Sequence, residues 1–393
     1  MTNAHKGKSL AAFYAVGGLR ELIPIYPLYS IMFGMHGVGP FELSVLFIIW
    51  ASVGLILEIP SGALADTYSR KWLVVASGLL KSGAFLAWYF WQDFWGYAFG
   101  FVLWGIGSSL RSGAFEALLF EVLDEWQETS RFAFHYGRIR ALATGSIMIG
   151  EASGGLLIAH GFDIVLLISA AVPLVVSLPF CFWVKDVRTD STADYTGNLI
   201  GAVKEVRGNP TLIFILGLST LLLTVHGIFD EYVPPLFLEQ GFSIAAIAFL
   251  AIPVFSAQAL GEYLADRFMY LSFKTLLNVM AVGAATLSLA SVIGGVPGVV
   301  AVTLFFFLFG LAGTITESKL QAQIGGDSRA TITSLIGWGD SLGAIFWFAL
   351  FGLASDYFNF GTGTLMLGLT TVGLCLAAQR NRLIRAFKDK TTS

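Results

Sequence analysis

Apolar residues run along the chain in blocks of about 20, the length a helix needs to cross a bilayer. About twelve blocks can be drawn, at roughly 10–33, 41–64, 72–92, 96–124, 137–160, 163–184, 211–238, 243–264, 274–293, 297–320, 330–353 and 362–380. On one side the connections are short and turn-like: GMHGVGP, QDFW, HGFD, EQGFS, GGVPG and DYFNFG. The one long connection, 184–210, is charged and stands mid-chain. The pattern predicts an all-α membrane protein with twelve transmembrane helices. They form two six-helix halves, 1–183 and 211–393, joined by a linker over 184–210.

Lys and Arg give the orientation. Lys6, Lys8, Arg70, Lys71, Arg131, Lys185, Arg188, Lys204, Arg207, Arg267, Lys274, Arg329 and the tail from Arg380 to Lys390 fall on one side, and the opposite loops carry neither. Positive charge marks the cytoplasm, so both termini and the linker are expected there. The opening MTNAHKGKSL leads straight into a long apolar run without a small-residue cleavage site, which predicts a first membrane span and not a cleaved signal.

Composition narrows the function classes. Of 393 residues 56% are hydrophobic and 12% charged, against about 25% charged in soluble domains. A large soluble enzyme is excluded, because water would not tolerate that much apolar surface. A net charge of -3 gives no sign of a nucleic-acid partner. Cys181 and Cys375 lie in apolar runs and read as small buried hydrophobes. There is no GxxxxGK[ST] loop for ATP and no His/Cys cluster with metal spacing, so neither cofactor nor metal is expected. No stretch outside the blocks is long enough for a catalytic domain.

The halves read as repeats. Glu21 and Pro24 match Glu231 and Pro234, Leu64-Ala65-Asp66 matches Leu264-Ala265-Asp266, Glu58 pairs with Gln258, Glu116 with Glu317, and Ser130-Arg131 with Ser328-Arg329. Duplicated halves predict a midplane substrate site with alternating access. Residues 62–71, from Gly62 through Asp66 to Arg70 and Lys71, resemble the signature loop Gly-x-Leu-Ala-Asp-x-x-Gly-Arg-Lys of the major facilitator superfamily. Ser69 replaces the second glycine, which is expected to loosen the turn. A degraded copy, Tyr263-Leu-Ala-Asp266-Arg267, stands between spans eight and nine. Leu57-Glu-Ile-Pro-Ser-Gly62, Glu116-Ala-Leu-Leu-Phe-Glu121 and Ser328-Arg-Ala-Thr331 further resemble a bacterial branch of drug and small-solute transporters. The resemblance implies a monomer, and the short loops without a targeting segment lead to the expectation of a bacterial inner membrane. It also implies a cytoplasmic latch, in which Asp66 meets the start of span eleven around Arg329 to Ser334 and Arg70 meets Glu121 or Asp124.

Ionisable residues inside spans are costly and mark cavities or pairs. Here they are Arg20, Glu21, Glu58, Lys81, Arg111, Glu116, Glu151, His226, Asp230, Glu231, Glu317, Lys319 and Asp340. Most fall on spans one, four, seven and ten, which line the cavity in the superfamily. Glu21 and Glu231 each stand three residues before a proline that frees a backbone carbonyl, and are candidates for proton coupling. Asp230 joins them, with His226 four residues earlier on the same helical face as a candidate relay. The alternatives are a packing histidine and a permanent Glu21–arginine pair. Arg20, Tyr26, Arg111, Glu116, Tyr232, Glu317, Trp338 and Asp340 are cavity candidates, with Arg20 and Arg111 either substrate ligands or counter-ions. Lys81 and Glu151 are expected to form internal pairs.

There are 34 Phe, 12 Tyr and 10 Trp. Trp88, Trp91 and Trp95 are expected in an interfacial belt. Tyr14, Tyr26, Tyr29, Tyr232, Phe229 and Phe237 either line an aromatic pocket or simply pack. Gly145, Gly150, Gly154 and Gly155 suit close helix packing on span five. The reading that results is a proton-coupled exporter of amphipathic compounds, with the bilayer and protons as partners. The alternatives are proton-coupled uptake of a polar or anionic solute and a membrane receptor, channel or embedded enzyme.

Overall fold

The structure is a computed structural model and describes residues 3–186, 210–323 and 329–381. Residues 187–209 of the expected linker, Ser328 and the tail beyond 381 lie outside the described residues. Every regular element among the described residues is helical. Ten helices there are long and apolar enough to cross a membrane. The expected first and fourth spans are absent from that set, and each is interrupted.

The first span comprises α1 (Asn3–Gly17), a 3-10 turn (Leu19–Glu21), irregular backbone, and α2 (Tyr29–Met35). Pro24 and Pro27 have no N–H to donate, so a continuous ladder is impossible there. The loose groups find partners nearby: Ile23 N donates to Glu21 O (2.9 Å) and Leu28 N to Ile25 O (2.9 Å). Ile25 N donates to buried Ser169 Oγ (3.1 Å). Non-helical backbone is tolerated at membrane depth only where protein satisfies it. The fourth span breaks between α5 (Phe94–Arg111) and α6 (Ala114–Glu125). Gly113 has φ +74°, a region glycine enters without steric cost.

After α3 (Pro40–Thr67) come α4 (Arg70–Phe90), then α5 and α6, α7 (Phe132–Leu157) and α8 (Phe162–Trp183). The later elements are α9 (Pro210–Phe229), a 3-10 turn (Asp230–Tyr232), α10 (Val233–Glu239), α11 (Ile244–Leu264), α12 (Phe273–Ile293), α13 (Gly295–Gln323), α14 (Arg329–Tyr357) and α15 (Phe360–Arg380). Two compact units emerge, one from 1–38, 49–193 and 244–249, the other from 39–48, 194–243 and 250–393.

In the first unit α4 packs along both α5 and α8. Small residues let the backbones approach: a Cβ at Gly107 would lie 3.0 Å from Ser77 O. Span five behaves similarly at Gly150, where a Cβ would stand 2.6 Å from Ile23 N, and at Gly154, where it would overlap Pro24 O. Gly155 meets Ala245 O at 3.0 Å. Gly145 has open space around it and takes no part in close packing, contrary to expectation. In the second unit α12 packs on α13 and α15, and α9 on α14. Trp347 Nε1 donates to Leu221 O there (2.9 Å).

The tryptophan belt needs correction. Trp91 and Trp95 are exposed, but Trp88 is fully buried. Its Nε1 donates to Tyr97 O (3.1 Å), and its ring packs on Phe33, Phe101 and Trp104. Trp91 and Trp95 follow the end of α4, whereas Trp88 lies inside it on a face turned to the core.

Asp93 caps α5 from the loop outside the spans. Its Oδ1 accepts from Trp95 N (2.8 Å) and Gly96 N (3.1 Å). The Gly96 amide first, then the Trp91 indole and the Trp95 amide, hold the carboxyl below its usual range. A lowered folded-state value means the cap stabilises most above the ordinary Asp value of about 4 and fades as pH falls through the lowered one. Asp93→Ala should therefore lower the thermal midpoint at neutral pH. The gap to the native protein should narrow on acidification, and a gap independent of pH would refute the assignment.

Candidate functional site

In the first unit a polar network forms where the first span is broken. Glu21 Oε2 accepts from Lys81 Nζ (3.0 Å) and from the Tyr26 hydroxyl (2.7 Å). Glu21 Oε1 lies 3.4 Å from Arg20 Nε. Arg20 Nη1 donates to Ser77 Oγ (3.0 Å). Ser77 and Lys81 are four residues apart and share a face of α4. Arg20 and Lys81 are buried, and Glu21 is half-buried. Lys81 Nζ also sits over the rings of Tyr26 (5.1 Å) and Trp104 (5.2 Å). Those two rings stack at 5.6 Å. One carboxylate thus serves two cations, and the network ties the non-helical stretch to α4.

Across the break in span four, the Arg111 guanidinium lies over the Phe115 ring (4.6 Å). It is within electrostatic reach of Arg20, Glu21 and Glu116. Glu116 Oε1 accepts from Tyr136 (3.4 Å). Arg111 Nε and Glu116 Oε2 are buried without a hydrogen-bond partner. Glu151 is buried on α7, within reach of Tyr26.

In the second unit Asp230 and Glu231 occupy the 3-10 turn that interrupts span seven, at the place where Glu21 ends the turn of span one. No hydrogen bond or ion pair reaches either carboxylate among the described residues. His226 does not bond Asp230. It interacts with Gln258 and meets the Phe306 ring edge-on at 5.5 Å. The same-face argument assumed 3.6 residues per turn, and the chain tightens to about 3.0 where Asp230 begins. Gln258 Nε2 donates to Glu262 (2.9 Å). Tyr232 is fully buried, stacked on Phe351 at 3.7 Å and bonded to Ser44. Glu317 and Asp340 are exposed and within electrostatic reach of each other, Trp338 is half-buried, and Lys319 is buried. Of the suggested pocket aromatics, Tyr29, Phe229, Tyr232 and Phe237 are buried packing residues. Tyr14 and Tyr26 are half-buried.

A family model described as the Major Facilitator Superfamily matches residues 9–347. The chain belongs to the major facilitator superfamily. That superfamily is one of membrane transporters and not of enzymes. An uncharacterized MFS-type transporter, YxaM of Bacillus subtilis (strain 168), is 23% identical over 257 residues, covering 61% of this chain and 62% of its own length. Among solved structures, the nucleoside transporter NupG superposes with TM-score 0.77 at 15% identity, over 98% of this chain and 100% of that one. A bacterial homolog to the human lysosomal transporter Spinster, inward-facing and occupied, gives 0.75 at 14%, over 98% of each chain. These likenesses under 25% identity establish the fold.

In the superfamily's signature loop, Arg70 opens α4 and ion-pairs with Glu121 on α6. Asp124 is exposed. Lys71 Nζ lies over the Trp72 ring (5.2 Å). Asp266 is exposed in the 3-10 turn Ala265–Phe268. Gly62 and Asp66 lie on α3, and their surroundings fall outside the described residues, as do the side chains at 329–336. Ser69, where the family's second glycine would stand, caps α4 by accepting from Trp72 N (3.3 Å) and donates to Asp186 (2.6 Å).

Ser77, Trp104 and Ser169 escaped the sequence reading, and Gln258 entered it only as the repeat counterpart of Glu58. Ser77 was findable from its i, i+4 relation to Lys81. Trp104 and Ser169 come to their partners from other segments, as Gln258 does to His226, which no local spacing reveals.

Proposed function

We propose that the protein is a secondary active transporter that moves a small organic solute by alternating access, coupled to protons and directed to efflux of amphipathic compounds. In this reading twelve segments cross a bacterial inner membrane, both termini are cytoplasmic, the halves are 1–183 and 211–393, and the monomer is the working unit. One contrast supports the proton assignment. Glu21 is held by Lys81, Tyr26 and Arg20, while Asp230 and Glu231, at the matching interruption, have no such bond among the described residues. A carboxylate without a fixed counter-ion suits proton exchange, so Asp230 and Glu231 are the coupling residues and Glu21 is a fixed counter-ion. Arg70, Glu121 and Asp66 serve the cytoplasmic latch. Glu116, Tyr26, Glu317, Trp338 and Asp340 are assigned to the solute path.

In proteoliposomes holding a pH gradient, lipophilic cations or neutral amphiphiles should dissipate the gradient. Asp230→Asn combined with Glu231→Gln should abolish that response. Native flux in the double variant would remove the coupling assignment. A second reading, uptake of an anionic solute, draws support from the unpartnered Arg111 Nε. Dissipation by anions alone, lost in Arg111→Gln, would favour it.

A further inference from the structure

The helix α7 carries a stripe that the transport reading does not use. At 100° per residue, Arg138, Gly145, Ile149 and Leu156 all fall within about 60° of Phe134. Phe134 is 46%, Ile149 61% and Leu156 68% exposed, and Gly145 faces open space. Ile139, Ser146, Gly150 and Gly154, on the other side of the helix, are buried. A long open apolar stripe on a membrane-crossing helix is a face toward acyl chains. Eighteen residues separate Arg138 from Leu156, a rise of about 27 Å, close to the roughly 30 Å of a hydrocarbon core. Arg138 therefore stands at the headgroup edge of that stripe, on the side that positive charge marks as cytoplasmic.

The chemistry at this edge is specific. The Arg138 guanidinium lies 4.0 Å from the Phe134 ring centroid and that of Arg131 lies 5.8 Å from it, so two cations flank one exposed ring. Arg131 pairs with Glu128 (3.0 Å). None of the ion pairs among the described residues involves Arg138. A guanidinium presents a planar fork that matches phosphate oxygens, and stacking on the ring fixes its plane.

We propose that Arg138, flanked by Phe134 and Arg131, holds the phosphate of an anionic phospholipid of the cytoplasmic leaflet, whose acyl chains lie along the near half of the stripe, past Gly145 to Ile149. A water-soluble anion would meet the same cation and leave the apolar stripe uncovered. The orientation follows the topology proposed above; the binding itself does not depend on proton coupling or on the solute.

The test is native mass spectrometry and thermal unfolding of the full chain in detergent, titrated with phosphatidylglycerol, phosphatidylcholine or glycerol phosphate. Phosphatidylglycerol should give a discrete adduct and raise the unfolding midpoint, and the other two should not. Arg138→Gln should weaken the adduct about fivefold, the effect of one cation at a lipid surface. Arg140→Gln, about 120° away from the stripe, should leave it intact. Equal adducts in the native protein and Arg138→Gln, or equal retention of phosphatidylcholine, would overturn the site. Because neither readout involves transport, a silent proteoliposome assay would leave this result standing.

Discussion

Replacing Gly154 with leucine is expected to prevent stable assembly of the first unit. The first Cβ atom would overlap the carbonyl oxygen of Pro24, and Leu28 Cδ1 stands 3.5 Å away. Pro24 belongs to the irregular stretch between α1 and α2 and is itself buried. That stretch is pinned from other sides, by Ser169 on Ile25 N (3.1 Å) and by Lys81 and Ser77 on Glu21 and Arg20. The obstacle is therefore backbone with no room to retreat. Overpacking a core costs about 1–3 kcal/mol when side chains can adjust, and here they are not what must move. Gly154→Leu should lose the monodisperse peak on size exclusion in detergent, and Gly154→Ala should lower the thermal midpoint. Gly145→Leu, at a position with open space, should behave as the native protein. A well-folded Gly154→Leu variant would show that the close approach of α7 to the first span is not required.

Glu21→Gln is expected to be the second severe change, through charge and not volume. It leaves Arg20 and Lys81 buried without their shared carboxylate, and Arg111 adds a third positive charge within reach. Breaking a buried pair by removing one partner costs about 3–5 kcal/mol. The side chains of Lys81 and Arg20 are only 4% and 6% exposed, so water does little to screen them. From sequence alone, Glu21→Gln would have been expected to abolish coupling and spare the fold. With the network in view the stability loss comes first. Adding Lys81→Met should recover much of it, because the double variant removes one cation along with the anion. Unfolding in mixed micelles of the native protein, both single variants and the double variant gives the coupling energy. Additive effects would mean that Glu21 and Lys81 do not act as a pair.

The two predictions mark where local and long-range information part. The apolar blocks predicted the helices because each needs only its own composition and length to satisfy its backbone in a bilayer. The prolines at 24 and 234 marked a freed carbonyl in spans one and seven, since a missing N–H is a property of the residue. Gly113 gave no such notice: glycine permits a positive φ but does not impose one. The signature at 62–71 pointed to the superfamily, because a short contiguous motif can be read without knowing the fold.

What sequence by itself determined is therefore the membrane class, the helical content, the superfamily and the set of ionisable residues to examine. Only the tertiary structure decided which of them are spoken for. Glu21 and Asp230 are alike in sequence, each an acid near a proline in an apolar block. Glu21 acquires Lys81 from a segment 60 residues away, while Asp230 acquires no ion pair among the described residues. Trp88 and Trp91 are three residues apart, yet one is sealed in the core and the other exposed. The physical reason is the same in each case: burial and charge pairing depend on what another segment brings to a given face, and that is set by packing across the chain.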